Sequence, residues 1–382
     1  MPGRSASSGA GAEMDFSYSP DQEELRTTVR RFLADKAPLA RVRAAVDTEL
    51  GYDAALWQQM AGQLGLAGLH LPEEHGGSGT GLLEPAVVLE ETGRALSSTP
   101  YSAVLFASLA VLHLGSEEHR ALLLPALAAG ESVATLALVE NGSATGTSGL
   151  QTTALSRGEG VTLTGTKTLV EHGHTADVLL VSAVGDGGAV GLYVVRGDAP
   201  GVTRTRLDAL DLTRPVARIS LDAAPAVPLG EASPGGLDGL VDVVCALLAC
   251  EQVGGTAACL DMATAYAKDR LQFNRPIGSF QAVKHRLAEM LVALDGARAA
   301  AQYAVVAADC GSPELATVAP LAKAEASEAF TFAAGWNIQV HGGVGFTWEQ
   351  DAHLFFRRAW ADSALYGVPA VQRARLADRL GL

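Results

Sequence analysis

Arg270-Leu271-Gln272-Phe273-Asn274-Arg275-Pro276-Ile277-Gly278-Ser279-Phe280-Gln281-Ala282-Val283-Lys284-His285 is the stretch on which the fold turns. It follows a helical pattern over 260–268 and runs into another, so it reads as a tight helix-to-helix connection. Arg270 suits a bidentate grip on a diphosphate. Phe273 and Phe280 offer apolar cover, and Gln281 an amide for a polar ring edge. Taken alone, the same residues also describe a turn with a surface arginine. Downstream stands Gln339-Val340-His341-Gly342-Gly343-Val344-Gly345-Phe346-Thr347-Trp348-Glu349. Paired glycines after a helix let backbone approach a ligand closely and aim N–H groups at phosphate.

Working outward, the chain separates into three textures. From residue 15 to about 130 the pattern is helical. Ser19-Pro20-Asp21 opens the first helix with an N-cap serine and proline at the first helical position. Leu25, Val29, Phe32 and Leu33 then give an apolar stripe, and Leu56, Trp57, Met60 and Leu64 a second one ending near Gly65. Between 131 and 230 short apolar or alternating runs (133–139, 160–163, 178–184, 190–195, 216–221) are punctuated by clusters such as Gly185-Asp186-Gly187-Gly188, which predicts an antiparallel sheet domain. From about 235 to 382 long alanine-rich helices return. Residues 1–14 carry no apolar core of a signal peptide and are expected to be a disordered tail. Helical, then β, then helical leaves interface clefts, where ligand sites form.

Composition narrows the function classes. A net charge of −14 over 382 residues excludes a nucleic-acid partner, which needs a basic face. An anionic ligand would need a local basic patch. The most apolar run, 243–249, is bounded by Asp242 and Glu251, so no membrane span is expected. Cys245, Cys250, Cys259 and Cys310 lack CxxC spacing and read as reduced, buried thiols of a cytoplasmic protein. His172 and His174 alternate as on one strand face with no third ligand nearby, so no metal is expected. The run 76–81 lacks the Lys-Ser/Thr of a phosphate loop, and Ser143 lacks the G-x-S-x-G frame of a hydrolase.

The two opening segments together resemble the acyl-CoA dehydrogenase family, in particular a bacterial branch ending in GGxGFTWExDxHxxxRR, here Gly342 to Arg358. Further matches are Asp15-Phe16-Ser17, the loop Leu71-Pro72-Glu73-Glu74-His75-Gly76-Gly77-Ser78-Gly79, and Gly165-Thr166-Lys167 followed by Ala176-Asp177. The resemblance implies an α+β multidomain fold: an N-terminal helical domain, a middle antiparallel β-barrel-like domain and a C-terminal four-helix bundle. It also implies FAD shared across a subunit interface. Arg270, Phe273 and Gln281 would contact a neighbour's FAD, while Gln339 and the Gly342-Gly343 turn would hold the adenosine diphosphate portion. Leu138-Val139-Glu140-Asn141-Gly142-Ser143 occupies the place of the family's flavin loop, with Ser143 matching its serine. Val139 and Asn141 replace that loop's threonine and proline. Leu169 and Glu171 stand where a ring-stacking tryptophan and a threonine are usual.

The family reaction needs a carboxylate poised over Cα of an acyl thioester. At the common C-terminal slot this chain has Tyr366, a poor base that could serve as acid or donor. At the other slot, on the first bundle helix, it has Val244. Glu251, seven residues on and on the same face, is an acid inside an apolar stretch, where unpaired charge is costly. Two readings stand: a relocated general base assisted by Tyr366, or a structural carboxylate bonded to an arginine or to backbone. The expected function is therefore FAD-dependent oxidation of an acyl-CoA or acyl-carrier thioester to its α,β-unsaturated form. Electrons would pass to an electron-transferring flavoprotein. The alternative is a non-catalytic or recruited subunit that completes a partner's FAD site in a hetero-oligomer; either way the chain is expected to assemble with itself or a paralogous subunit, as a homo- or hetero-oligomer.

Overall fold

The computed structural model describes residues 18–158, 160–230 and 235–382. The expected tail over 1–14 and the 15–17 match lie outside the described residues. The first helix begins as its sequence demands. Ser19 Oγ accepts the Gln22 N–H at 3.2 Å and Gln22 Oε1 accepts the Ser19 N–H at 2.9 Å, a reciprocal cap ahead of α1 (Pro20–Lys36). The N-terminal block continues with α2 (Leu39–Val46), α3 (Ala54–Gln58), α4 (Leu83–Ala95), α5 (Tyr101–Leu114) and α6 (Glu117–Ala128). The stripe of Leu56, Trp57 and Met60 is split: α3 ends at Gln58 and a π-turn carries Met60 into the core.

The middle block holds β1 (Ala134–Ala137), β2 (Thr153–Arg157), β3 (Gly160–Glu171), β4 (Val178–Val184), β5 (Val190–Arg196), β6 (Val202–Arg206) and β7 (Val216–Pro228). Their order is β1-β4-β2-β3-β7-β5, with β6 on β7, and β4–β5 pairing closes a ring. Closure removes sheet edges that would otherwise invite strand pairing. The sheet is mixed rather than antiparallel: β1 and β2 both run parallel to β4. Pattern alone found neither β2 nor β6, whose polar sequences resemble loops, and pairing direction is set by connections that alternation does not encode. His172 and His174 do not share a strand face. His172 follows β3 in a turn at φ +51° and is buried, whereas His174 is half-buried at its carbonyl contact with Glu49.

The C-terminal block comprises α7 (Gly236–Asp269), a short hairpin of β8 (Leu271–Gln272) and β9 (Arg275–Pro276), then α8 (Gln281–Asp309), α9 (Leu315–His341), α10 (Ala352–Ala364) and α11 (Pro369–Leu380). Among the described residues α7 is the one helix long and apolar enough to cross a membrane, yet it is buried inside the protein as the core of the bundle. Three cysteines are buried as expected, but Cys310, past the end of α8, is exposed.

Helix α7 also binds the blocks together. A Cβ placed on Gly254 would lie 1.8 Å from the Glu90 carbonyl oxygen, and one on Gly93 would lie 2.1 Å from that of Glu251. The α4 and α7 backbones therefore touch, and no side chain fits between them. Gly254→Ala is expected to destabilise the fold by about 2–3 kcal/mol through overpacking. Urea unfolding of the variant against the parent checks this, and a loss under about 0.5 kcal/mol would mean the helices separate freely.

Candidate functional site

The hairpin β8–β9 and the start of α8 face the end of α9 across a groove of about 580 Å³. Phe273, Phe280, Arg286, Trp336 and Gln339 are among its walls. Phe273 is 84% exposed, an aromatic held out on a left-handed backbone (φ +51°) rather than packed. Arg275 lies over the Phe280 ring at 4.2 Å and Arg286 over Trp336 at 4.5 Å, so the groove pairs aromatic faces with cations. Arg270 caps α7 through its backbone N–H, and its exposed side chain makes no ion pair among the described residues. Gln281 opens α8, also exposed. Gly342 ends α9 at φ 64°, ψ −144°, and added Cβ atoms on Gly342 or Gly343 would meet nothing within 4 Å. Within one chain Phe273 and Gln339 thus share a groove, while Arg270, Gln281 and the two glycines are not among its walls.

Ser143 sits elsewhere, in a loop that walls a polar cleft of about 530 Å³ against Asp238, Arg375 and Arg379. Its hydroxyl donates to the Ser148 carbonyl at 2.5 Å, leaving its oxygen only as an acceptor.

Glu251 is buried at the junction of all three blocks. Its Oε1 accepts from Arg214 Nη2 and, at 3.2 Å, from Arg358 Nη1. Arg214 reaches Glu171 Oε1 at 3.4 Å and Asp362 Oδ1 at 3.1 Å. Arg358 bonds Asp211 Oδ2 at 2.5 Å and Thr213 Oγ1 at 2.6 Å, and Ser102 donates to Glu171. Four carboxylates therefore surround two guanidiniums, all nearly inaccessible. Glu171 Oε2, Glu251 Oε2 and both Asp362 oxygens are buried with no hydrogen bond among the described residues. The surplus of acid shows in titration. Burial, only partly offset by Arg214 and Arg358, pushes Asp362 up to about 7. Burial likewise raises Glu171 against the pull of Arg214.

Tyr366, at the usual base slot, is 7% exposed, with its ring edge-on to Phe106 at 6.2 Å. Burial raises its hydroxyl pKa far above the ordinary tyrosine value. Val244, at the other slot, is fully buried. The apolar cavity of about 390 Å³ between α5 and α7, lined by Leu109, Leu112, Leu240 and Val243, reaches neither Glu251 nor Tyr366. Of the network, Glu251 and Glu171 were the members singled out in the sequence. Arg358 and Asp362 had one available signal, an i,i+4 charge pair within the closing Arg-Arg motif helix.

This three-block fold has known counterparts. Residues 19–131 match the acyl-CoA dehydrogenase N-terminal domain, and residues 243–381 match the acyl-CoA dehydrogenase C-terminal domain. The chain belongs to the acyl-CoA dehydrogenase family. It is similar to acyl-CoA dehydrogenase IpdE2 of Mycolicibacterium smegmatis, with 36% identity over 94% of this chain and 98% of that protein. Among solved structures it resembles a variant of the Tcur3481–Tcur3483 steroid ACAD, at TM-score 0.88 and 35% identity, covering 94% of this chain and 98% of that one. It also resembles the ChsE4–ChsE5 complex from Mycobacterium tuberculosis, at TM-score 0.88 and 28% identity, covering 96% and 99% of the respective chains.

Acyl-CoA dehydrogenases are FAD-dependent flavoproteins, and this chain is accordingly an FAD-dependent oxidoreductase of that family. Its residues fit the two halves of FAD unequally. An exposed aromatic–cation groove, an uncommitted Arg270 and open glycine backbone at 342–343 suit an adenosine diphosphate. The polar groups that the resemblance assigns to the flavin ring are already engaged, Glu171 with Ser102 and Arg214, and Ser143 with the Ser148 carbonyl.

Proposed function

We propose that this acyl-CoA dehydrogenase works as one of two subunit types in a mixed oligomer that oxidises an acyl-CoA or acyl-carrier thioester to its α,β-unsaturated form. In this reading Arg270, Phe273, Gln281, Gln339 and Gly342-Gly343 hold the adenosine diphosphate half of FAD across a subunit boundary. The carboxylate that takes the α-proton belongs to the partner's site. FAD, when bound, supplies the acceptor for hydride from Cβ; electrons then pass to an electron-transferring flavoprotein. A cytoplasmic setting is part of the same proposal.

One observation carries it: Glu251, the candidate base on the first bundle helix, is occupied by two arginines in a closed interior. A general base must come within hydrogen-bond reach of the proton it removes. Glu251 instead acts as the structural carboxylate that ties α7 to Arg214 and Arg358. The likeness to a two-protein complex supports a mixed assembly, and the likeness to a steroid ACAD adds polycyclic acyl thioesters to the substrates worth testing.

The test compares the purified chain with the chain co-expressed with a family member that carries the usual glutamate. The chain alone is expected to hold little FAD and not to bleach anaerobically with acyl-CoA or steroid-CoA thioesters. The co-purified complex is expected to be yellow and to bleach, and Glu251→Gln within it should leave the reduction rate within about twofold, because removing a catalytic base costs about 10²–10⁴. A yellow homomer that bleaches, and loses at least that factor on Glu251→Gln, would restore Glu251 as the base and overturn the mixed-oligomer reading.

A further inference from the structure

Lys167 is a second buried charge that the chemistry above leaves unused. It lies on β3 with no solvent exposure, and its ammonium meets three acceptors: Glu140 Oε1 at 2.5 Å, Ser182 Oγ on β4 at 3.0 Å and the Leu138 carbonyl at 3.2 Å. An ammonium has three N–H donors, so the site is fully satisfied. Glu140 is in turn the knot of a loop. Its carboxylate accepts the Gln151 N–H at 2.6 Å and the Thr152 N–H at 3.2 Å, so the chain leaves Glu140 and returns to the same side chain. A backbone bridge between Glu140 and Ser143 sets the first turn. Gly146, at φ +71°, folds the loop onto Leu138, where an added Cβ would lie 2.4 Å from the Leu138 Cβ. That is the residue whose carbonyl Lys167 also holds.

The enclosed segment, 141–150, carries Ser143 and walls the 530 Å³ cleft facing α7 and α11. Inside the segment the Ser143–Ser148 bond and the Thr145–Thr147 hydroxyl contact are local ties, and both of its ends converge on the Glu140 side chain.

We propose that Lys167 is a positioning residue: through Glu140 it fixes the 141–150 loop, and thereby Ser143, at the cleft to which the flavin-loop resemblance assigns the cofactor. The ligand part of this proposal rests on the FAD reading above; the loop part does not. A lysine is the residue required. Arginine would need a wider cage, and methionine would leave Glu140 buried without a counter-charge. The charges answer each other: burial draws the Lys167 ammonium down to about 8 despite Glu140, while Lys167 and the Thr152 and Gln151 donors hold Glu140 below its ordinary value in spite of burial.

The experiment separates folding from positioning by comparing Lys167→Met with the pair Lys167→Met/Glu140→Gln in the full-length protein, alone and in its complex. The single variant leaves one buried charge unpaired and is expected to melt earlier. The pair removes both charges and is expected to recover most of the melting temperature. Even so, amide hydrogen exchange over 141–152 in the pair should run at least about tenfold faster than in the parent, the scale of one lost charge-assisted hydrogen bond. FAD titration of the complex should show a Kd raised about tenfold on the same grounds. Parent-like exchange over 141–152 in the folded pair would overturn the proposal. Faster exchange with unchanged FAD affinity would uphold Lys167 as the loop's anchor and sink the assignment of that loop to the flavin.

Discussion

Arg214→Met is expected to cost about 3–5 kcal/mol of folding stability at pH 7, the range seen when one member of a buried ion pair is removed. Among the described residues Arg214 is the one ion-pair partner that Glu171, Glu251 and Asp362 share, and it sits 4% exposed between the middle block and the bundle. Without it, Arg358 alone would face Glu251, Asp211 and Asp362. Those acids already outnumber their cations, so the loss falls on carboxylates whose buried oxygens are already short of donors. Removing an acid has the opposite character. Glu251→Gln keeps an acceptor for both arginines and relieves the surplus, so its cost should stay under about 1 kcal/mol. Urea denaturation of both variants checks the pair of expectations. A mild Arg214→Met would mean that water reaches these carboxylates.

Acid titration of two buried histidines is the second large effect. Burial, reinforced by the positive charges of His174, Arg214 and Arg358, holds His172 down to about 3; burial and His113 hold His70 there too. His70 Nε2 meets Ser108 Oγ at 2.8 Å, and that hydroxyl already donates to the Leu105 carbonyl at 2.9 Å. The ring therefore donates from Nε2, and its Nδ1 is left without a partner, as is that of His172. Between about 3 and 6.5 the unfolded chain binds protons at these positions and the folded chain does not. Stability from these rings is thus whole above pH 6.5 and is lost as pH falls, by about 2 kcal/mol for each ring on reaching pH 5. Asp362 opposes this, because its raised pKa favours the folded state as pH drops from about 7 toward the ordinary carboxylate range. The clean measurement is therefore a difference. His172→Asn, which tolerates the left-handed backbone there, should lose about 2 kcal/mol less than the parent between pH 7.5 and 5. Equal losses would show that His172 is protonated in the folded state.

Much of the architecture could be read from one dimension. The Ser19–Gln22 cap, the 178–184 strand and the helix boundary at Arg270 are local events, decided by residues within a few positions of one another. So was the family, because the segments at 270–285 and 339–349 that carry the resemblance are contiguous runs of sequence. The closed mixed sheet was not legible, since β2 and β6 owe their strand form to neighbours distant in sequence.

The role of Glu251 was the question the sequence posed and left open. An acid in an apolar helix must either be paired or be perturbed, and the chain order of residues 211, 214, 358 and 362 gives no hint that they converge. Sequence by itself determined the three-block order and the family, because short-range periodicity and contiguous motifs are written locally. Only the tertiary structure decided which charges share one interior, because burial and charge pairing depend on the distances that folding creates.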